Sequence, residues 1–176
     1  MSRGWLARWT PGALYGPPRR VLTPGLAGRS DRPHVALTLD DGPDTESTPA
    51  VLEVLERHDV RATFFLVGEH VEAHRDVVDD LHTGGHELAV HGWTHRAVVT
   101  RSQSELTSEL LRTGDLLCDV TGAWPRWYRP PFGLTNRACL YAASSAGLQP
   151  VLWTAWGRDW SRHITPTGIE WRVRRT

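Results

Sequence analysis

Lysine is missing from this sequence. Its twenty basic residues are all arginine, and twenty acidic residues balance them to a formal net charge of zero. The arginines are scattered, so the missing lysine reads as a coding bias of GC-rich DNA rather than as chemistry. The zero balance gives no ground for nucleic acid or another polyanion as partner. Cysteine is scarce. Cys118 and Cys139 are the two present, neither in a C-x-x-C motif, so a zinc-finger framework is excluded, while their spacing leaves open whether they pair. No run approaches the ~20 apolar residues of a membrane span. The opening stretch, MSRGWLARWTPGALYGPPRRVL, carries arginines but lacks the continuous apolar core of a secretory signal. As written, the sequence predicts no export signal.

What is present suits one domain with a real core: 176 residues, 40% apolar and 23% charged. Nine tryptophans are many for this length. Such aromatics fill barrel cores and also line sugar-binding clefts, and the count alone does not separate the two.

Residues 1–32, rich in Pro, Gly and Arg, read as an irregular lead-in with one short helical turn near Trp5 to Trp9. From 33 to 176, apolar runs and helical patterns alternate. Strands are expected over 35–39, 62–67, 87–90, 126–128 and 150–153. Helices are expected after Thr48-Pro49, from Glu69 to His82 with a stop at Gly84-Gly85, after the capping box Ser102/Glu105, from Thr135 to Ala146, and after Thr165-Pro166. Short strands alternating with helices predict parallel βα units, whose ligands gather at the carboxyl ends of the strands.

The residues following those strands form an unusual set. Asp40-Asp41 end the first, His91-Gly-Trp-Thr-His95 follows the third, Arg129-Pro-Pro-Phe132 follows the short fourth, and Asp159-Trp160 comes shortly after the fifth. Two histidines four apart plus one carboxylate make an N,N,O donor set for zinc or another divalent ion, with a position left for water. One of two adjacent aspartates can reach such a metal, which frees the other to act as a base. An arginine opposite would hold that base in place. Each motif alone is weak. Nine histidines can fall four apart by chance, Asp-Asp-Gly-Pro is commonly a turn, and His58, His70, His74, His82, His86 and His163 read as surface or packing residues. The joint arrangement at successive strand ends carries the case.

In that order, TLDDGPD, HGWTH, RPPFG and GRDW, with RATFFLVGEHVEAH between the first two, resemble the polysaccharide deacetylases of carbohydrate esterase family 4. The resemblance runs from about residue 33 to 175. It implies an α/β fold, the family's deformed (β/α) barrel, and hydrolytic removal of acetyl groups from N-acetylated (or O-acetylated) carbohydrate, such as the N-acetylglucosamine units of peptidoglycan or chitooligosaccharide. By position it makes Asp40 the catalytic base, and Asp41, His91 and His95 the ligands of a divalent metal, zinc first, with cobalt or another divalent ion as alternatives. Arg129 would orient Asp40, and Asp159 would hold Arg129. The Phe132 backbone N–H, where the family has tyrosine, would face the oxyanion, and Trp160 would wall the sugar pocket. Trp156 stands where the family has an aspartate. The family's acid, a histidine in a Leu-x-His motif, does not occur before Thr176, so the barrel is expected to be incomplete at its C-terminal end. Two alternatives therefore stay open: a catalytically impaired remnant that binds metal or sugar, and a deacetylase of a small acetylated molecule. The partner expected is a carbohydrate, and no protein partner is predicted. The family's substrates imply an extracytoplasmic or wall-associated site, whereas the missing signal implies a cytoplasmic one.

Overall fold

The structure, a computed structural model, describes residues 24–28 and 33–175. The helical turn expected near Trp5 to Trp9 lies outside the described residues. The chain divides into two compact units, one of residues 33–150 and one of residues 1–32 with 151–176.

In the 33–150 unit, five strands form one parallel sheet in sequential order: β1 Thr38–Asp40, β2 Thr63–Leu66, β3 Glu87–Val90, β4 Trp127–Tyr128 and β5 Gln149–Pro150. Between them run α1 Ser47–Arg57, α2 Gly68–Ala73, α3 Arg75–Thr83, α4 Gln103–Thr121 and α5 Arg137–Ser145. Each crossover carries helix, as parallel strands require. Among the described residues β1 and β5 do not pair, so the sheet is open rather than closed into a barrel.

The middle strands are short and apolar because both faces are covered. Phe64, Phe65 and Leu66 of β2 and Leu88, Ala89 and Val90 of β3 are all buried. Helix α4 lays Leu106, Leu110 and Leu117 into the same core. Full burial of each such side chain is worth roughly 1.5–3 kcal/mol. Its capping box forms as the sequence predicts, with the Ser102 hydroxyl accepting from Glu105 N and the Glu105 carboxylate accepting from Ser102 N. Gly122 ends it at φ 70.

Four elements differ from expectation. Of the run 35–39, only its last two residues enter β1, and Val35 and Leu37 are exposed, because β1 is an edge strand backed by β2 alone. The helix expected from Glu69 to His82 is broken at His74 (φ −134, ψ 55) into α2 and α3. The helix expected after Thr48-Pro49 already begins at Ser47, so Thr48 does not cap it. Asp44 Oδ1 receives Ser47 N and Glu46 N, and Thr48 Oγ1 receives Asp44 N. The fifth strand is Gln149–Pro150, not 150–153. Cys118 and Cys139 are both free thiols.

In the second unit, Leu152 N donates to Leu26 O at 2.7 Å. The rings of Trp153, Trp156 and Trp160 form a chain, 5.7 and 4.8 Å between successive centroids. Helix α6, Pro166–Arg174, starts where Thr165 caps it by accepting from Gly168 N. Among the described residues no helix is long and apolar enough to cross a membrane.

Candidate metal centre

Register places the candidate residues together before any side chain is considered. Asp40 pairs with Phe65 across β1–β2, Leu66 with Val90 across β2–β3, and Val90 with Tyr128 across β3–β4. Asp41, His91 and Arg129 are therefore the first residues past the ends of β1, β3 and β4, all on the carboxyl side of the sheet. The outgoing backbone is pinned by His91 N to Leu66 O at 2.8 Å and Arg129 N to Val90 O at 2.9 Å.

The two aspartates then diverge. Arg129, itself 3% exposed, donates to Asp40 Oδ1 at 2.6 Å and to Thr38 Oγ1 at 2.8 Å, with its guanidinium 3.9 Å from the centre of the Phe65 ring. Burial pulls the Arg129 guanidinium below its ordinary value, and the Asp40 charge opposes that pull. Asp41 sits at φ 76, in the left-handed region that glycine favours, and this turns its carboxylate the other way. Its Oδ1 lies 3.0 Å from His91 Nε2 and 3.1 Å from His95 Nε2. The two imidazoles stack at 5.3 Å, and the Phe132 ring lies 4.4 Å from His95.

The donor set fits a divalent cation. His91 Nδ1 is 2.7 Å from the Arg129 carbonyl, which can only accept, so Nδ1 carries the proton. Nε2 then meets the Asp41 carboxylate through a second proton or through a cation. All three ligand atoms lie within 4.8 Å of one another. Tetrahedral zinc with bonds of 2.0–2.2 Å separates its ligands by about 3.4 Å, near the 3.0 and 3.1 Å between Asp41 Oδ1 and the two imidazole nitrogens. The hydrogen bond with His91 holds the Asp41 carboxyl below its ordinary value, against partial burial. Burial pushes the His95 imidazole below its ordinary value despite the Asp41 charge, which favours the neutral ligand form.

Asp40, Asp41, His91, His95, Arg129 and Phe132 belong to the 33–150 unit and Asp159 and Trp160 to the other. Asp159 and Trp160 are exposed within their own unit's loop. Phe132 sits at φ 56, half-exposed. Sequence reasoning missed Thr38 and Phe65 as the further contacts of Arg129. It also took His70 for a surface or packing residue, although His70 Nδ1 lies 3.0 Å from the Asp41 carbonyl. The alternation of β1 and β2 could have placed Thr38 and Phe65 beside Asp40, whereas nothing in the spacing marks His70. A cavity of about 400 Å³ opens beside Asp40 and Asp41, with Asp44, Ser47, His70 and His74 also on its wall.

Comparison with known proteins bears on the same residues. The sequence profile of the polysaccharide deacetylase family matches residues 27–151. A peptidoglycan-N-acetylglucosamine deacetylase of Listeria monocytogenes is 34% identical over 143 residues, 81% of this chain and 30% of that protein. A chitooligosaccharide deacetylase of Rhizobium leguminosarum bv. trifolii is 35% identical over 136 residues, 77% of this chain and 63% of that one. The chain thus spans less than two thirds of the length of either curated relative. Among solved structures, the family 4 carbohydrate esterase of Streptomyces lividans, in complex with acetate, aligns with a TM-score of 0.76 at 31% identity, over 81% of this chain and 73% of that chain. The profile runs through every strand of the open sheet and both loops that bring Asp41 to His91 and His95, and the chain belongs to the polysaccharide deacetylase family.

Proposed function

We propose that this chain removes acetyl groups from N-acetylated carbohydrate by metal-dependent hydrolysis, with N-acetylglucosamine units of peptidoglycan or chitooligosaccharide as substrates. The observation that carries the reading is the divergence of the two aspartates: Asp41 Oδ1 meets two imidazole nitrogens at 3.0 and 3.1 Å, while Arg129 holds Asp40 at 2.6 Å. Relatives named as peptidoglycan and chitooligosaccharide deacetylases support the substrate class.

Asp41, His91 and His95 would hold the ion, zinc before cobalt or another divalent metal. Bound there, it would supply Lewis-acid polarisation of the acetyl carbonyl and make water a stronger acid. The protein's own groups do the rest. Asp40 takes a proton from water as the water oxygen bonds to the acetyl carbon, and the Arg129 hydrogen bond keeps its carboxylate aimed. The carbon–nitrogen bond then breaks as the nitrogen is protonated, and the proton held by Asp40 is available for it. Acetate and a free amino sugar leave. The Phe132 backbone N–H serves as a donor towards the developing negative charge.

The test is acetate release from N-acetylglucosamine oligomers by the zinc-loaded chain, beside Asp40→Asn. Release by the wild type, and a loss of about 10²–10⁴-fold in the variant with zinc still bound, is expected. Equal release by both, or none by either, would contradict the reading.

A further inference from the structure

Four consecutive residues tie the two metal-ligand loops together. Val67 N donates to the Gly42 carbonyl at 2.8 Å, Gly68 N to Gly92 at 2.9 Å, and Glu69 N to Trp93 at 3.0 Å. The fourth, His70, reaches the Asp41 carbonyl with Nδ1 at 3.0 Å. A carbonyl only accepts, so Nδ1 bears the proton. Residues 67–70 thus grip both loops: Asp41 and Gly42 on one side, and the Gly92-Trp93 link between His91 and His95 on the other. The second side is reinforced. Thr113 Oγ1 also donates to the Gly92 carbonyl at 3.2 Å, and the Arg112 guanidinium lies 3.4 Å from the centre of the Trp93 ring.

The Asp41 side carries the greater strain. Asp41 adopts φ 76, a conformation that a non-glycine residue keeps only where its surroundings fix it. The two peptides following that φ are held by one such bond each, Val67 N to the Gly42 carbonyl in the farther one and His70 Nδ1 to the Asp41 carbonyl in the nearer one. The first is a backbone bond that any residue at position 67 except proline supplies. The second depends on one side chain. Releasing the Asp41 carbonyl frees its peptide plane, and with it the direction of the Cα–Cβ bond that aims the carboxylate at His91 and His95.

We propose that His70 is a positioning residue of the metal centre, acting through the Asp41 carbonyl to hold the left-handed turn that presents the Asp41 carboxylate. This rests on the reading of Asp41, His91 and His95 as metal ligands. His70 touches none of the three ligand atoms in this role. Its effect on metal affinity should therefore follow its N–H donor and not its ring.

Two substitutions separate donor from ring. His70→Asn keeps an N–H donor at the place of Nδ1, while His70→Phe keeps a ring and removes the donor. Zinc dissociation constants are measured on the whole chain by competition with a chromophoric chelator, alongside Asp41→Asn and the thermal midpoints of the metal-free proteins. The expected result is His70→Asn within about threefold of wild type and His70→Phe weaker by about tenfold or more, the scale of outer-shell partners. His70→Ala, which adds no bulk, should weaken with His70→Phe and serves in its place if the phenylalanine variant does not fold. A role in folding alone would lower the metal-free midpoints and leave the affinities of the Asn and Phe variants equal, which overturns the proposal. Wild-type affinity in His70→Phe overturns it as well. Wild-type zinc binding that Asp41→Asn does not weaken shows instead that the metal reading itself is wrong, and the positioning role falls with it.

Discussion

Asp40 and Asp41 are neighbours in the chain and strangers in the site. The strand presents Asp40, with Thr38, to Arg129, and the positive φ of Asp41 swings the next carboxylate towards His91 and His95. Arg129 serves both sides by different atoms: its guanidinium holds Asp40, and its backbone carbonyl accepts a hydrogen bond from His91 Nδ1. That division makes a prediction. Arg129→Met removes the guanidinium and keeps the carbonyl, so zinc affinity should stay within about threefold of wild type, while acetate release falls at least about tenfold. Thermal unfolding should show a loss of about 2 kcal/mol, less than for a fully buried pair because Asp40 keeps some contact with solvent. A parallel collapse of zinc affinity would show that the guanidinium shapes the ligand set as well.

At the scale of elements, the legible parts were those with local signals at both ends. β3 coincides with its expectation because Gly84-Gly85 stops α3 before it and His91 follows it, and α4 is announced by its capping box. The break at His74 was not legible, since no Gly or Pro marks it and the apolar spacing runs through both α2 and α3. The run 150–153 reads as strand from its composition. Leu152 is indeed buried, but its N–H goes to Leu26 rather than to a neighbouring strand.

The seam between β2 and β3 has a pH dependence of its own. His86 is buried against Phe64, and its Nδ1 accepts from Ala62 N at 3.2 Å, which requires the neutral ring. Burial, and then the charge of Arg61, push this imidazole below its ordinary value of 6.5. The unfolded chain therefore binds the proton more readily. The stability that His86 contributes is complete above 6.5 and drains away as pH falls through the lower folded value. His86→Asn keeps an acceptor that does not titrate. The thermal midpoint of the metal-free wild type should drop further between pH 7.5 and pH 5 than that of the variant. Equal drops would show that His86 does not set this dependence.

At the scale of the whole molecule, parallel topology is what made the site readable. Once strands run parallel, residues after their carboxyl ends share one side of the sheet, so Asp41, His91 and Arg129 converge across 88 positions of sequence without any local motif linking them. What stayed hidden was backbone conformation. The left-handed turn at Asp41 is held by hydrogen bonds from residues 67 and 70, and neither its residue type nor that of Phe132, also at positive φ, announces such a conformation. The most direct test of the account is anomalous diffraction at the zinc edge from crystals of the zinc-loaded chain. It should place one strong peak about 2.0–2.2 Å from Asp41 Oδ1, His91 Nε2 and His95 Nε2, with Asp40 outside bonding distance and still on Arg129. A fully loaded crystal with no peak among those three atoms, or with zinc bound through Asp40 instead, would contradict it.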